Sequence, residues 1–376
     1  MSKKDTLNSI LAVVLGLIAG AILMLFIGDN PIDGYSYLFK GGIMSVERIG
    51  NTIATATPLI FTGLSVAFAF RTGLFNIGTP GQMLAGGFAA TAVGLTFNAS
   101  MSRPILLIAM IIAGTLAGAI WGSVPGLLKA KFNVNEVVSS IMMNWICYWV
   151  VYYIIPAYFK GESLETESRL LPSVASLKTP WLTNLFEGSY INLGIFLAII
   201  GVIIIGFILN KTVLGYELKA VGFNRYGAEY AGMSVNKNIV VSMMIAGALS
   251  GLGGVTQYIG NAANIQIGVM PSQGFDGIAV SLLGANTPVG VLVSALFFGL
   301  LYSGKGFMNA MTSIPPEIAD TIIATIIYFA ATSAVVPKIY NKIKQKRQSD
   351  AEKKLVVQDN KSVDDNSKID DKKEEK

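Results

Sequence analysis

The sequence predicts an all-α polytopic membrane protein of about ten transmembrane helices, and three observations predict it. Hydrophobic residues make up 52% of the 376-residue chain and charged residues only 14%, whereas a soluble domain carries about 25% charged residues. Apolar runs of about 20 residues recur, the length that crosses a bilayer as a helix. Lysine and arginine cluster at the edges of those runs, where they set orientation. A mean hydropathy of +0.57 and 40 glycines fit closely packed membrane helices. The edge clusters account for the net charge of +5, so no nucleic-acid partner is expected.

Much chemistry is excluded. The chain has no histidine, which removes imidazole proton relays, imidazole metal ligands and Ser-His-Asp catalysis. Its single cysteine, Cys147, makes neither an intramolecular disulfide nor a thiolate metal site. No nucleophile–base pair is evident, so an enzyme is not expected.

Taken in order, the first span is expected over 7–28, after Lys3 and Lys4. It is long for a signal-peptide core, and no clear small-residue cleavage site follows it. Asp29, Asp33, Glu47 and Arg48 mark a mixed-charge loop to about residue 50. The second span, about 52–70, closes at Arg71. The third runs to about Phe97, and Gly78, Pro80 and Gly81 give it an irregular start. Broken helices at membrane depth are tolerated where protein packs around them or a cavity is lined. The fourth, about 104–128, ends at Lys129 and Lys131. The fifth begins within 133–144 and ends near Pro156. Glu136, Ser140 and Asn144 recur every four residues and share one helix face, with Ser139 beside them. Such a stripe belongs toward protein or a water path.

The loop 160–189 balances Glu162, Glu165 and Glu167 against Lys160, Arg169 and Lys178 and reads as external. The sixth and seventh spans, about 190–210 and 239–261, flank a polar stretch, 211–238. Lys211, Lys219, Arg225 and Lys237 place that stretch in the cytoplasm. Residues 270–285 read as a short or broken eighth span, and the ninth and tenth are about 288–304 and 318–337. Lys338, Lys342, Lys344, Lys346 and Arg347 then anchor the chain inside, so both termini are expected to be cytoplasmic. The organisation expected is a membrane domain over 1–337 and a cytoplasmic tail over 338–376, basic and then of mixed charge, mostly disordered.

The third and eighth spans open alike, on Gly78-Thr-Pro-Gly-Gln82 and Met270-Pro-Ser-Gln-Gly-Phe-Asp276. Paired Gly/Pro interruptions point to a repeat interface carrying a transport site. An inverted repeat of spans two to five in seven to ten is therefore expected. Residues 73–90, Gly-Leu-Phe-Asn-Ile-Gly-Thr-Pro-Gly-Gln-Met-Leu-Ala-Gly-Gly-Phe-Ala-Ala, resemble the signature of bacterial ABC-importer permeases of the branched-chain amino acid, ribose and nucleoside group. The Phe-Asn-Ile-Gly-x-x-Gly-Gln form is most similar to the nucleoside-type branch. Asn135-Glu-Val-Val-Ser-Ser-Ile-Met-Met-Asn144 resembles a second segment of that branch. Gly215 to Gly232 is similar to the loop that docks the ATPase in this group, with Lys219 where many relatives have arginine.

The resemblance covers about residues 10–335. It implies a multi-pass subunit of the bacterial cell membrane, a second, non-identical permease, an ABC ATPase, a substrate-binding lipoprotein and a nucleoside as cargo. ATP and Mg would be used by the ATPase, and no cofactor is expected in this chain. Ser303-Gly-Lys-Gly-Phe307 lacks the hydroxyl and glycine spacing of a phosphate loop.

On that resemblance, a helix of about two turns in the 215–232 loop would seat in an ATPase groove. The residues implied are Gly215, Lys219, Ala220, Gly222, Asn224, Arg225, Ala228, Glu229, Tyr230 and Gly232. A nucleoside offers a flat base and ribose hydroxyls, which suit amides, hydroxyls and aromatic rings. Asn76, Gln82, Ser139, Asn144, Gln273 and Phe275 are the candidates for the path, with the acidic Glu136 and Asp276. Helix-packing hydrogen bonds remain the alternative for each, and Glu136 equally suits a helix N-terminus. Branched-chain amino acids or a simple sugar are the alternative cargoes. An ion-coupled secondary transporter using Glu136 or Asp276 is the rival mechanism.

Overall fold

The computed structural model describes residues 3–162 and 164–333. The expected tail, 338–376, and the end of the tenth span lie outside the described residues. Fourteen α-helices are described: α1 (Lys3–Ile27), α2 (Pro31–Ile43), α3 (Val46–Arg71), α4 (Thr79–Phe97), α5 (Arg103–Phe132), α6 (Glu136–Tyr158), α7 (Pro180–Leu185), α8 (Gly194–Lys211), α9 (Val213–Phe223), α10 (Arg225–Tyr230), α11 (Val235–Val255), α12 (Ser272–Leu283), α13 (Pro288–Met311) and α14 (Pro316–Ser333). Among the described residues, α1, α3, α5, α6, α8, α11 and α13 are long and apolar enough to cross a membrane. The protein is thus a multi-pass α-helical membrane protein. The other three expected spans are α4, of 19 residues, α14, of 18, and α12, of 12. Twelve residues reach only about 18 Å, so α12 is a half-span.

The mixed-charge loop expected over 29–50 is instead largely a helix. Asn30 accepts the Ile32 N–H at 3.0 Å, Pro31 takes the first turn, and Asp33 lies beside the positive end of α2. Leu38, Gly41 and Gly42 are buried, and α2 packs on α13. The irregular start expected at Gly78 to Gly81 lies earlier in the chain. Pro80 sits in the first turn of α4, where a missing N–H costs nothing, and only 72–78 is non-helical.

The centre is formed by α3 and α11, which pack together. Their partners are reciprocal: α3 packs on α12 and α13, while α11 packs on α4 and α5. This exchange is the contact pattern that the expected repeat of spans two to five in seven to ten would produce. Glycine makes it possible. Gly114, Gly118 and Gly122 recur every four residues on α5 and face Gly247 and Gly251 of α11. A Cβ on Gly247 would lie 2.3 Å from the Gly118 carbonyl oxygen, and one on Gly254 would lie 1.9 Å from that of Met83. Small residues of this kind let membrane helices approach backbone to backbone.

α11 runs on into a π-helical stretch, Thr256–Ala262, and Ala263 is left-handed with φ 64°. The 160–189 loop folds onto it. Ser168, Leu171 and Leu177 donate their N–H groups to the carbonyls of Ile265, Ala263 and Ile259 at 2.9 Å each, so the irregular backbone is satisfied internally.

The 211–238 stretch is shorter and more ordered than expected, since α8 continues to Lys211 and α11 begins at Val235. Two helices occupy it rather than one of about two turns. Gly215 and Gly222 lie inside α9 because they touch neighbouring backbone, not because they end a helix.

Gly247→Ala is expected to destabilise the protein by about 1–3 kcal/mol through overpacking. Gly306, around which a Cβ would meet nothing within 4 Å, should tolerate alanine. Thermal unfolding of the two purified variants tests this, and equal melting temperatures would remove the α5–α11 contact as a determinant of stability.

Candidate functional site

Two interrupted helix starts meet inside the fold. The first is the non-helical turn before α4. Asn76 is fully buried, and its Nδ2 donates to Gln82 Oε1 at 2.9 Å and to Ser65 Oγ at 3.2 Å. Its Oδ1 accepts from the Gly78 N–H at 3.0 Å and from Gln82 Nε2 at 3.1 Å. Ser250 of α11 donates to Ser65 at 2.9 Å. From α6, Asn144 accepts the Gly81 N–H at 2.9 Å and donates to the Ile77 carbonyl at 3.0 Å. The first N–H groups of a helix lack partners within it, and these amides supply them. The second start, that of α12, abuts the first. A Cβ on Gly274 would stand 2.5 Å from Pro80 Cα, so only glycine fits there.

The structure thereby divides the sequence-derived candidates. Asn76, Gln82 and Asn144 are buried, with their polar groups engaged by protein. Ser139 is buried too, donating to the Asn135 and Glu136 carbonyls at 3.1 and 3.2 Å. Glu136 pairs with Lys129 at 3.0 Å and ties α5 to α6, while Asn135 caps α6. The stripe of Ser140 and Asn144 does face the interior; Asn144 binds the start of α4, whereas the buried Ser140 hydroxyl has no hydrogen-bond partner among the described residues. Gln273, Phe275 and Asp276 form a second group on α12. Gln273 and Asp276 are half-buried, Phe275 is exposed, and Asp276 is hydrogen-bonded with Tyr302 of α13.

A cluster that the sequence reading missed joins α3, the π stretch and α13. Thr55 and Tyr190 share a hydrogen bond at 2.7 Å, and Ser303 donates to Thr55 at 3.3 Å. Asn261 donates to the Ala54 carbonyl at 3.0 Å and accepts from Asn192 Nδ2 at 2.9 Å. Gln257 lies one turn before it, 3.4 Å from Asn261 Nδ2. Thr55, Tyr190, Gln257, Asn261 and Ser303 are all half-buried. They are neutral donors and acceptors on α3, α13, the π stretch and the segment before α8, and a π stretch often marks a functional site. The sequence signal was the four-residue spacing of Gln257 and Asn261 at the end of the expected seventh span.

At one end of the molecule, α9 and α10 form a second surface. Leu218, Val221 and Ala228 are buried, and Asn238 of α11 donates to Glu217 at 2.9 Å. Gly222 seats on the turn before α4, where its Cβ would lie 2.3 Å from the Arg71 carbonyl oxygen. Gly215 seats likewise on the Ile208 carbonyl. Lys219 donates to Asn210 at 3.2 Å, Asn224 caps α10 by accepting the Gly227 N–H at 3.1 Å, and Gly232 adopts φ +81°. Ala220 and Arg225 are half-buried and Glu229 is exposed. Phe223, Tyr226 and Tyr230 are 95%, 85% and 97% exposed. Only Tyr230 of these rings was anticipated, yet together they form the apolar ridge of this surface.

Residues 48–331 match the family described as branched-chain amino acid transport system / permease component. The chain belongs to this permease family. The permease is 43% identical over 340 residues to the guanosine ABC transporter permease protein NupP of Bacillus subtilis (strain 168), covering 90% of this chain and 96% of the relative. It is 39% identical over 356 residues to the nucleoside ABC transporter permease protein NupB of Lactococcus lactis subsp. cremoris (strain MG1363), covering 93% and 97%. Against the glucose ABC transporter permease protein TsgB13 of Haloferax volcanii the identity is 30% over 331 residues, 86% of each chain. No solved structure matches the permease.

Asn144→Ala is expected to lower the melting temperature of the permease, because a buried donor and a buried acceptor each lose a partner, at about 1–3 kcal/mol apiece. Gln273→Ala, at a half-buried position, should change it little. Equal stability of wild type and Asn144→Ala would show that this amide does not hold the start of α4.

Proposed function

We propose that the permease is a membrane subunit of an ATP-driven importer whose cargo is a nucleoside. The observation that carries this is near-full-length identity of 43% and 39% to guanosine and nucleoside permeases. The accessible central groups agree with it. Thr55, Tyr190, Gln257, Asn261 and Ser303 offer neutral hydroxyls and amides, and Phe275 offers a ring face. A nucleoside can use both kinds of contact, hydrogen bonds from its base and sugar and stacking from its base. A simple sugar is the second reading, favoured by the glucose relative.

ATP hydrolysis then belongs to a separate ABC ATPase that binds ATP and Mg. Its docking surface is the ridge of Phe223, Tyr226 and Tyr230, since large apolar side chains this exposed at closely spaced positions mark an interaction site. Seated under that ridge, α9 bears through Gly222 on the Arg71–Gly73 turn, and that turn leads into Asn76 and the α4 start facing α12. Movement of α9 would displace the junction of the α4 and α12 starts and alter access to the central groups. Both termini face the cytoplasm in this reading, a lipoprotein delivers cargo from outside, and a second, non-identical permease completes the path.

Uptake of radiolabelled guanosine by cells carrying the permease and its partner subunits should persist when the proton gradient is collapsed and stop when ATP is depleted. The reverse dependence would favour the ion-coupled mechanism. Tyr226→Asp should cut that uptake at least tenfold with unchanged membrane abundance, and full activity of this variant would remove the ridge as the docking surface. Gln257→Ala should raise the half-saturating cargo concentration several-fold, the loss of about one hydrogen bond. An unchanged value would exclude this amide from cargo contact.

A further inference from the structure

A cavity of about 800 Å³ lies where α1, α8, α9 and α13 come together, away from the central polar cluster. Its polar edge carries two cations, Arg71 and Lys219. Arg71 donates to the Asn286 carbonyl through Nε at 3.1 Å and Nη2 at 2.8 Å, and Lys219 donates to Asn210. Neither has an acidic partner among the described residues, where Lys129–Glu136, Lys160–Glu165 and Lys305–Asp320 are the ion pairs. No carboxylate lines the cavity. The first turn of α13, Pro288 to Gly290, also borders it and adds the positive end of a helix dipole. The rest of the wall is mostly aliphatic or aromatic, including Val13, Val293 and Phe297, with the neutral polar Ser9, Asn210, Thr287 and Ser294 among it.

That wall is continuous with the outer surface of the protein. Ile10 and Val14 of α1 and Val289 and Val293 of α13 line the cavity and are 55%, 44%, 67% and 62% exposed. An occupant must therefore reach the cavity from the bilayer, lay an apolar chain along these side chains and bring an anion to the two cations. A nucleoside meets none of these demands, being uncharged and without a chain. We propose that this cavity is a binding site for an anionic phospholipid, the phosphate on Arg71 and Lys219 and one acyl chain along α1 and α13. Basic pockets between membrane helices suit such headgroups.

The placement has a consequence. Arg71 sits at the end of α3 on which Gly222 rests, and Lys219 sits on α9 itself. A lipid phosphate between them would hold α9 against α3 and α13. Lipid binding does not depend on which cargo is carried. Only the inference that the lipid steadies coupling rests on the functional reading above.

The test uses the purified full-length chain in detergent, titrated with palmitoyl-oleoyl phosphatidylglycerol or with phosphatidylcholine of the same chains, and native mass spectrometry to count retained lipid. Phosphatidylglycerol should be retained at several-fold lower concentration than phosphatidylcholine. Lys219→Gln should weaken its retention about fivefold, the worth of one cation beside an anionic lipid. Val293→Trp should lower retention of both lipids by filling the cavity mouth, and Lys131→Gln, an exposed lysine on α5 outside the cavity, should leave retention unchanged. Because Arg71 also holds the Asn286 carbonyl, Lys219→Gln carries the charge test. Equal retention of the two lipids, or a preference that survives Lys219→Gln, would overturn the proposal. So would displacement of the lipid by soluble glycerol phosphate at equal concentration, or dimers of the chain that Val293→Trp dissociates.

Discussion

A helix that starts inside a membrane protein leaves its first N–H groups without partners, and no water is there to take them. The rest of this structure depends on how that problem is solved before α4. Asn76 and Gln82 bind one another, Asn76 also takes the Gly78 N–H, and Asn144 reaches from α6 to take Gly81. These bonds fix an interruption at a defined depth. They allow Gly274 of α12 to press against Pro80, so that the starts of α4 and of the half-span α12 meet inside the fold. The central helices can then exchange partners between the two halves of the fold.

The same arrangement explains why motion at one end can reach the middle. The α9 helix is held by backbone contacts through Gly215 and Gly222, and a displacement has little compressible side chain to absorb it. The turn it touches is the one that carries Asn76. A steric link of this kind is a physical candidate for coupling, and double-mutant cycles between α9 and the α4 turn measure its strength.

Much of this was legible in the sequence. Apolar run length placed α3, α5, α6, α8, α11 and α13, because burial in lipid writes itself directly into composition. The Gly/Pro interruptions placed the starts of α4 and α12. What escaped has physical reasons. The α2 helix carries charge and is only 13 residues long, so it looked like a loop. The glycines of 211–238 resembled helix breakers, whereas Gly215 and Gly222 serve close contact inside α9. Asn76, Gln82 and Asn144 had the right chemistry for cargo, yet a residue type does not reveal whether its hydrogen bonds are already taken. The half-buried cluster around Thr55, Gln257 and Asn261 is assembled from α3, the π stretch and α13, and only the fold brings those segments together.

The central claim is that the neutral cluster on α3, the π stretch and α13 serves a nucleoside path. Competition during uptake addresses it most directly, in cells whose only route for radiolabelled guanosine is this permease with its partners. Excess unlabelled uridine or guanosine should abolish uptake, while glucose and leucine leave it unchanged. Competition by glucose or leucine with no effect of uridine would contradict the account and assign the cluster to a different cargo.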